Sequence, residues 1–477
     1  MTKTDPDCKH DGSVYITAAD DVDVTYPSNK DGTADAAVDG VFGALDDSAA
    51  QSYRSVTTFG AFALITKANI GLGVLSIPFV FQVLGIVPGI IVILVLHCMF
   101  AYSAAAIGPF KANHPEVYGV AEAGFVVGGR WAKEVLYVFF YMLMVIAASG
   151  AMVSLSAALN AMSSHGACTA VFIAVVAAAG ALLGAIPTLS RITWLGWAGI
   201  ASLMAALLTL TISVGLQGRP ADAPRPPAPW TKEFKIVGRP TFEEAMAAIS
   251  TVLFAYSATP TYFNIAAEMR DPRGYNRAML TSISLITLVY LVLGSVVYAF
   301  CGQYVSTPAL GSAGPLMKKV CYGLAVPALL ASLTIVTHLG AKHIFVRVLH
   351  GTHDLTHPTA KHWIVWLSTV LGTTLVAYVF ASAIPNFGSI IGFFGAIVVP
   401  GVSLLPYTAM WWHDNWRHAP AAERTPRRCA LLAVNIFIAV ASLFFTIAGA
   451  YGAGVELVKS SATRGPWSCT DNSGRRE

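Results

Sequence analysis

The stretch Thr66-Lys67-Ala68-Asn69-Ile70-Gly71-Leu72-Gly73-Val74-Leu75-Ser76-Ile77-Pro78 decides the fold. It lies in an apolar run from about residue 56 to residue 81, and crossing a bilayer needs roughly 20 apolar residues. A lysine near the middle of such a run is costly unless it meets a partner or a water-filled cavity. Glycines and a proline let the backbone leave the helix, which is tolerated at that depth only against protein or a cavity. The stretch predicts a broken first helix that lines a binding site; the alternative is a kinked helix packed through its glycines, with Lys67 reaching the interface.

A second apolar span, about 242–265, is interrupted near its centre by small polar residues and by Pro260. The two interrupted spans hold corresponding places if spans 1–5 and 6–10 form two halves of the chain. Such a pair is typical of a transporter built from inverted repeats, with its site at mid-membrane. The halves show no direct sequence repeat, so this symmetry is inferred from spacing alone.

The composition is that of a polytopic membrane protein. The 477 residues are 55% hydrophobic and 12% charged, with a mean hydropathy of +0.62, whereas soluble globular proteins carry about 25% charged residues. The net charge of +4 is too small and too dispersed to predict nucleic-acid binding. Residues 1–54 form an acidic tail that we expect to be disordered. This tail shows no signal peptide, so we expect the first span to direct membrane insertion.

Hydropathy predicts eleven membrane spans between two polar tails, residues 1–54 and 452–477. The spans cover about 56–81, 86–109, 133–161, 168–186, 192–216, 242–265, 276–301, 316–341, 363–383, 386–411 and 429–451. If the N-terminus is cytoplasmic, the inner loops carry 14 Lys or Arg and the outer loops carry 7. This bias predicts a cytoplasmic N-terminal tail and an external C-terminal tail.

The motifs in spans 1 and 6 resemble those of the amino acid/auxin permease family, within the amino acid–polyamine–organocation group of transporters. The residues that carry the resemblance are Gly71–Pro78, Phe254-Ala255-Tyr256 and Glu268-Met269-Arg270-Asp271-Pro272. The resemblance covers roughly residues 55–451 and is nearest to the fungal permeases for neutral and aromatic amino acids. It implies an all-α membrane protein with a five-plus-five inverted repeat and an eleventh helix, and secondary active uptake of amino acids.

An amino acid substrate brings a carboxylate, an ammonium group and a side chain. The broken first helix exposes backbone amides at the positive end of its second half, which suits a carboxylate. We assign this role to the backbone of Gly71, Leu72 and Gly73. For the ammonium group and the side chain, the expected acceptors and pocket walls are Asn69, Phe254, Ala255, Tyr256 and Ser257, with Phe140 from a helical face of span 3. Simple packing is the alternative for the aromatic residues.

The coupling ion is predicted from Lys67. In the sodium-coupled transporters that the chain resembles, the break in helix 1 and a part of helix 8 hold a sodium ion. Aligned on Gly71, Lys67 takes the place of a sodium-binding residue, so we expect its ammonium group to replace the ion. Coupling is then to protons, because a buried lysine and a histidine can both change protonation state. The span 8 residues expected beside Lys67 are Thr334, Thr337 and His338.

Two further features stay open at this stage. Glu268 and Arg270 follow span 6 at the predicted inner face, where they form an ion-pair gate or only local pairs in a basic loop. Among seven cysteines, none shows a metal-ligand spacing, and those near the predicted outer side are open to a disulfide. These are Cys168, Cys301, Cys321 and Cys469.

The function predicted is proton-coupled symport of neutral amino acids. The alternatives are a sodium-coupled or uncoupled carrier and a nutrient sensor on a transporter fold that signals through its acidic tail. No nucleophile–base or metal constellation predicts an enzyme, and we expect no cofactor beyond the coupling ion. The expected partners are the amino acid substrate and the lipid bilayer, without nucleic acid. The resemblance favours the plasma membrane, with a vacuolar membrane as the alternative, and the oligomeric state stays open.

Overall fold

The computed structural model describes residues 38–39, 43–44, 56–115, 117–186, 189–224, 228–350, 352–355, 357, 359–384, 387–417, 425–461 and 465–473. Of the acidic tail predicted over residues 1–54, it describes two short strands, β1 (Val38–Asp39) and β2 (Gly43–Ala44), which pair antiparallel. The predicted disorder of the rest of that tail lies outside the described residues.

Helices make up most of the remaining described chain. They are α1 Thr58–Asn69, α2 Ile77–Leu84, α3 Ile86–Ala105, α4 Ile107–Asn113, α5 Val120–Ser163, α6 Thr169–Gly184, α7 Leu189–Leu216, α8 Phe242–Ala255, α9 Tyr262–Glu268, α10 Tyr275–Cys301, α11 Pro315–Leu349, α12 Ala360–Ala383, α13 Phe387–Ser403, α14 Leu405–Trp412 and α15 Pro426–Ser461. Short 3-10 turns precede α2 and α9, at Gly73–Ser76 and Thr259–Thr261. Other 3-10 turns lie at Pro272–Gly274, Gly302–Tyr304, Ala309–Ser312 and His353–Leu355, and a π-helical turn at His413–Arg417.

The chain is a multi-pass membrane protein. In the described ranges, eight segments are long and apolar enough to cross a bilayer, and the bent pair Thr58–Asn69 and Gly73–Leu84, at 42°, makes a ninth. The other two predicted spans correspond to α6, which is short, and to α8 with α9, which are interrupted. The predicted all-α membrane fold is therefore confirmed, while length and composition leave the count of eleven unconfirmed.

Both predicted breaks are present, and local chemistry explains them. Helix α1 ends at Asn69, because Ile70 leaves the helical region with φ −77° and ψ 82°. Pro78 then falls in the first turn of α2, where a missing N–H costs nothing. In the second pair, α8 begins with a capping box of Thr241 and Glu244. It ends at Ala255, before a turn that contains Pro260.

The two broken pairs run antiparallel and touch at their breaks. A Cβ built on Gly73 would lie 2.5 Å from the Cα of Ala255, so only a glycine permits this approach. The beginning of the first pair meets the end of the second, since the Val56 amide donates to the Glu268 carbonyl at 3.1 Å. The Arg270 amide returns a bond to the Val56 carbonyl at 2.8 Å. This pairing is the relation that an inverted repeat requires.

Two long helices, α5 and α11, flank the broken pairs. Helix α11 packs against α5, α7 and α12, and α13 packs against α5, α8 and α15. Gly129, with φ +70°, bends α5 between a short first segment and its membrane segment. Following the predicted orientation, we call the end of the bundle that carries Thr58 and His350 the inner end, and the opposite end the outer end.

Candidate functional site

A cavity of about 430 Å³ occupies the inner half of the bundle. It runs from Pro260, beside the break between α8 and α9, to Glu134 and His350 at the inner end. Residues of α5, α9 and α11 form most of its wall, among them Tyr137, Phe140, Asn264, Glu268, Leu339, Lys342 and His343. The cavity thus joins one broken helix to the inner surface. It contains two predicted site residues, Phe140 and Glu268.

A polar cluster of α5 and α11 forms one side of the cavity. The Tyr137 hydroxyl donates to the His343 carbonyl at 2.9 Å, and His343 Nε2 lies 3.1 Å from the Tyr137 carbonyl. The two rings stack at 3.9 Å. Arg347 lies over the Tyr137 ring at 4.3 Å and pairs with Glu134 at 2.7 Å. The sequence predicted only a helical face of span 3 that includes Phe140, because the histidine partner comes from a helix that is distant in the chain.

The predicted gate residues do not face each other in this conformation. The Glu268 carboxylate accepts a hydrogen bond from the Tyr118 hydroxyl at 3.2 Å, whereas Arg270 is exposed. The ion pairs of the described chain do not include one between Glu268 and Arg270. Glu268 therefore belongs to the cavity wall, and Arg270 to the inner surface.

Tyr290 of α10 joins the two breaks. Its hydroxyl lies 3.0 Å from the Asn69 carbonyl and 2.9 Å from the Ala255 carbonyl, so it donates to one or the other. The Asn69 amide donates to the Ile65 carbonyl at 2.9 Å and to the Tyr262 hydroxyl. Its Oδ1 is buried without a partner in the described chain. Asn69 and Ala255, both predicted site residues, therefore lie beside each other, held by a tyrosine that the sequence did not single out.

The backbone of the first break differs from amide to amide. The Gly71 N–H donates to the Asn69 carbonyl at 2.9 Å, whereas the described hydrogen bonds include none from Leu72 or Gly73. All three residues are buried. In this conformation Gly73 is covered by Ala255. Two donors predicted for a carboxylate are thus present beneath the contact between the helices.

The carbonyls of the second break already accept protein donors. The Phe254 carbonyl accepts from the Ser257 amide at 3.1 Å, and the Ser257 carbonyl accepts from the Ser403 hydroxyl at 3.3 Å. A carbonyl oxygen has two lone pairs, so each retains capacity for a further donor. Ser257 is half-buried, unlike Phe254. The structure thus keeps these predicted acceptors close together at the end of α8.

Tyr256 points away from the cavity. Its hydroxyl bonds to that of Thr287 at 2.8 Å, and Thr287 lies 2.9 Å from His97 Nδ1. Its ring stacks on Phe100 at 5.3 Å. Tyr256 therefore joins α8 to α3 and α10, which is a packing role rather than the predicted pocket wall.

Lys67 is buried beside the first break. It is 7% exposed, and its Nζ donates to the Ser332 hydroxyl of α11 at 2.9 Å. A Cβ built on Gly199 of α7 would lie 3.3 Å from Lys67 Cε, and one built on Gly71 would lie 3.7 Å from Ser332 Oγ. Across the described residues no carboxylate pairs with Lys67. An ammonium group thus occupies the space between the break, α7 and α11.

The other predicted coupling residues face elsewhere. Thr334 bonds back to the Leu330 carbonyl at 2.8 Å. Thr337 packs against Gly184 of α6, and the His338 ring lies 5.1 Å from that of Trp366 of α12. Ser332 and His338 are six residues apart, and six residues of an α-helix rotate by one full turn plus about 240°. The two side chains therefore lie on different faces of α11. The structure brings Lys67 to Ser332, and not to the three residues expected beside it.

With this geometry in hand, comparison with known proteins identifies the family. Residues 54–452 match the family described as transmembrane amino acid transporter protein. The chain belongs to this family. The predicted resemblance is confirmed, and the protein is a transporter rather than an enzyme.

Curated relatives agree with this assignment. The chain is 30% identical over 429 residues to a transmembrane transporter of Gibberella moniliformis, and the alignment covers 88% of this chain and 89% of that protein. It is 31% identical over 396 residues to the N amino acid transport system protein of Neurospora crassa, with 82% of each covered. Fungal transporters therefore align with 82% to 88% of this chain.

Among solved structures, the chain resembles Mhp1, a nucleobase-cation-symport-1 family transporter in a closed conformation with bromovinylhydantoin bound. The TM-score is 0.50 at 12% sequence identity, and the match covers 88% of this chain and 96% of that one. At this identity the likeness concerns the fold alone.

Proposed function

We propose that the protein is a proton-coupled symporter of neutral amino acids that works by alternating access. The observation that carries the proposal is the buried ammonium group of Lys67, 2.9 Å from Ser332 and adjacent to the break in the first helix. A fixed cation repels a second cation over such short distances in a low-dielectric interior. Sodium at the same place is therefore disfavoured while Lys67 is charged.

The substrate class is inferred from the charges around the breaks. The Leu72 and Gly73 amides suit a carboxylate, and the carbonyls of Ala255 and Ser257 suit an ammonium group. Lys67 is engaged by Ser332, and the charged residues of the cavity, such as Glu134 and Arg347, lie toward the inner end. Among the described residues beside the breaks, Lys67 is the one charged side chain, and its hydrogen bond to Ser332 favours neutral substrates.

The inner cavity is the proposed release path. It ends at Pro260, in the turn between α8 and α9, and Phe140 of α5 also lines it. Binding at the breaks followed by entry into this cavity would deliver the substrate to the inner surface. Access from the outer end requires the contact between Gly73 and Ala255 to loosen.

The proton is assigned to Lys67. Protonated Lys67 donates to Ser332, whereas the neutral form no longer carries the charge that the first break faces. Loss of the proton would remove a positive charge beside the first break, where we propose that the substrate binds. This change would link proton release to substrate binding. His338 is the second candidate, and it is remote from the breaks because it faces α6 and α12.

The test is uptake into proteoliposomes that contain the purified protein. A panel of radiolabelled neutral amino acids is supplied without sodium, with an inward proton gradient, before and after addition of a protonophore. We expect accumulation that collapses with the gradient and no gain when sodium is added. Accumulation that appears only with sodium would contradict the proposal. Acidic and basic amino acids serve as the control substrates and should not accumulate.

We place this activity in the plasma membrane, which follows from the resemblance to uptake permeases. Fractionation of cells that express a tagged chain tests this point. Enrichment with vacuolar rather than plasma membranes would contradict it and would reverse the physiological direction of transport, with the coupling unchanged.

A further inference from the structure

Two histidines and an aspartate meet at the inner end, away from the cavity. His114 follows α4, and His413 and Asp414 lie in the π-helical turn after α14. His114 Nε2 is 3.0 Å and His413 Nδ1 is 2.9 Å from the same oxygen, Asp414 Oδ1. These three atoms all lie within 4.8 Å of one another. The cluster forms only because α4 packs against α14, which brings together residues separated by 300 positions.

The donor set suits a transition-metal ion. Zinc binds imidazole nitrogen and carboxylate oxygen at roughly 2.0–2.2 Å, usually in a tetrahedron, so its ligand atoms lie roughly 3.3–3.6 Å apart. The separations of 2.9 and 3.0 Å are shorter than this, so the ligands must move apart by about half an ångström to admit the ion. Three protein ligands and a water make a complete zinc shell.

A hydrogen bond and a small cavity lie beside the Asp414 carboxylate. The Asn113 amide donates to the second oxygen, Asp414 Oδ2, at 3.1 Å. Such outer partners orient metal ligands. Of the three residues, Asp414 alone lines a neighbouring cavity of about 20 Å³, together with Asn113 and Asn415. A space of this size holds about one water molecule.

We propose that His114, His413 and Asp414 bind a divalent transition-metal ion of the zinc class, with a water as its fourth ligand. The ion would clamp the end of α4 to the turn after α14. Helix α4 continues α3, which packs on α10, whereas α14 continues α13, which packs on α5 and α8. The clamp thus joins helices that belong to different sides of the breaks. It is distinct from the proposed amino acid site.

The test measures metal binding by the full chain, freed of any histidine tag and stripped with a chelator. Equilibrium dialysis against zinc, with elemental analysis, should give one ion per chain. His114→Ala and Asp414→Asn should each lower the zinc affinity by about tenfold or more, and Asn113→Ala should lower it less. The control is His353→Ala with His357→Ala, which removes an exposed histidine pair at the same end and should leave this stoichiometric binding unchanged.

A second readout guards against loss of folding in the variants. Cobalt added to the stripped wild-type protein should give the visible absorption of a four-coordinate nitrogen–oxygen site, and zinc should displace it. Absence of stoichiometric binding in the wild type would overturn the proposal and leave a hydrogen-bonded trio. Binding that survives in folded His114→Ala and Asp414→Asn proteins would overturn it too. Neither measurement depends on amino acid transport.

Discussion

The two ends of the helix bundle differ in how they meet water. The inner end opens into a cavity of about 430 Å³ that reaches the break between α8 and α9. At the outer end the chain covers itself with residues 465–473. Asn472 donates to Ser156 at 2.9 Å and accepts from Asn160 at 2.8 Å, both on α5. Ser473 is 1% exposed. The described conformation is therefore open inward and closed outward.

The means of closure also differ between the ends. The outer segment is tied by the disulfide Cys168–Cys469, by the Thr169 hydroxyl donating to the Thr470 carbonyl at 2.7 Å, and by the Trp467 amide donating to the Ser382 carbonyl at 2.8 Å. The inner end has side-chain pairs such as Glu134 with Arg347, which are half-exposed. Exposed pairs contribute little individually. An outward-open state must displace a covalently tied segment, whereas the inner end is already open in this conformation.

The largest effect is expected at Lys67, the residue that we propose couples transport to the proton gradient. Lys67→Met keeps the apolar stem and removes the charge. A hydrogen bond to a charged group is worth about 1.5–3 kcal/mol, so we expect uptake driven by the gradient to fall by about 10- to 100-fold. The measurement is proteoliposome uptake at matched protein content. His338→Ala is the control and should retain most activity. A greater loss of uptake for His338→Ala than for Lys67→Met would instead assign the coupling proton to His338 of α11.

The next largest effect is expected from substitutions at the contact between the two helix breaks. A Cβ built on Gly73 would lie 2.5 Å from the Cα of Ala255, whereas one on Gly71 meets only Ser332 Oγ at 3.7 Å. Overpacking typically costs about 1–3 kcal/mol. We expect Gly73→Ala to lower uptake about tenfold, since 1.4 kcal/mol corresponds to that factor, and to lower the thermal midpoint. The matched control, Gly71→Ala, should be nearly neutral in both measurements. Equal losses would show that the close approach is not limiting.

The outer closure predicts a change in accessibility. In an Asn160→Cys reporter protein, we expect slow reaction with a membrane-impermeant thiol reagent, because the segment that holds Asn472 covers this position. Deletion of residues 465–477, made together with Cys168→Ser, should raise the labelling rate severalfold. Cys301→Ser, which removes a buried free cysteine, is the control and should not. An unchanged rate after the deletion would mean that other elements close the outer end.

The breaks themselves were predictable because their chemistry is local. Glycines, Pro78 and Pro260 interrupt a helix through their own backbone properties, and the charge of Lys67 in an apolar run predicted a partner or a water-filled cavity. Which partner it meets was not predictable. Helical spacing shows that Thr334, Thr337 and His338 share a face, yet the rotation of α11 in the bundle decides that this face meets α6 and α12. Ser332, on another face, is the residue that reaches Lys67.

Contacts between residues that are distant in the sequence could not be predicted for a related reason. Four cysteines were open to pairing, and only the packing of the C-terminal segment against α6 selects Cys168 with Cys469. Likewise Tyr290 and His343 gain their roles from contacts across helices. A single sequence indicates which residues a helix presents on one face, but not which neighbour covers that face.

The smallest effect is expected in the inner loop before α12, outside the membrane segments. The Asp354 carboxylate accepts from the Thr359 hydroxyl at 2.8 Å and pairs with Lys361 at 3.2 Å. The Thr359 hydrogen bond, followed by that of Lys361, holds the pKa of this carboxyl below its usual value. A depressed pKa gives stability that is present above the unfolded pKa, about 3.9, and is lost as the pH falls through the folded value.

Asp354→Asn should therefore lower the thermal midpoint by only about 1–2 °C near pH 7, because a small change in stability shifts the midpoint of a large chain very little. The difference from the wild-type protein should shrink as the pH falls below about 4, where the wild-type carboxyl is protonated too. Thermal unfolding in detergent from pH 7 downward measures both midpoints. Transport should be unchanged, because this loop lies apart from the cavity wall and from both breaks. If the difference in thermal midpoint were the same at every pH, the charge of Asp354 would not be what stabilises this loop. Its hydrogen-bonding geometry alone would then account for the effect.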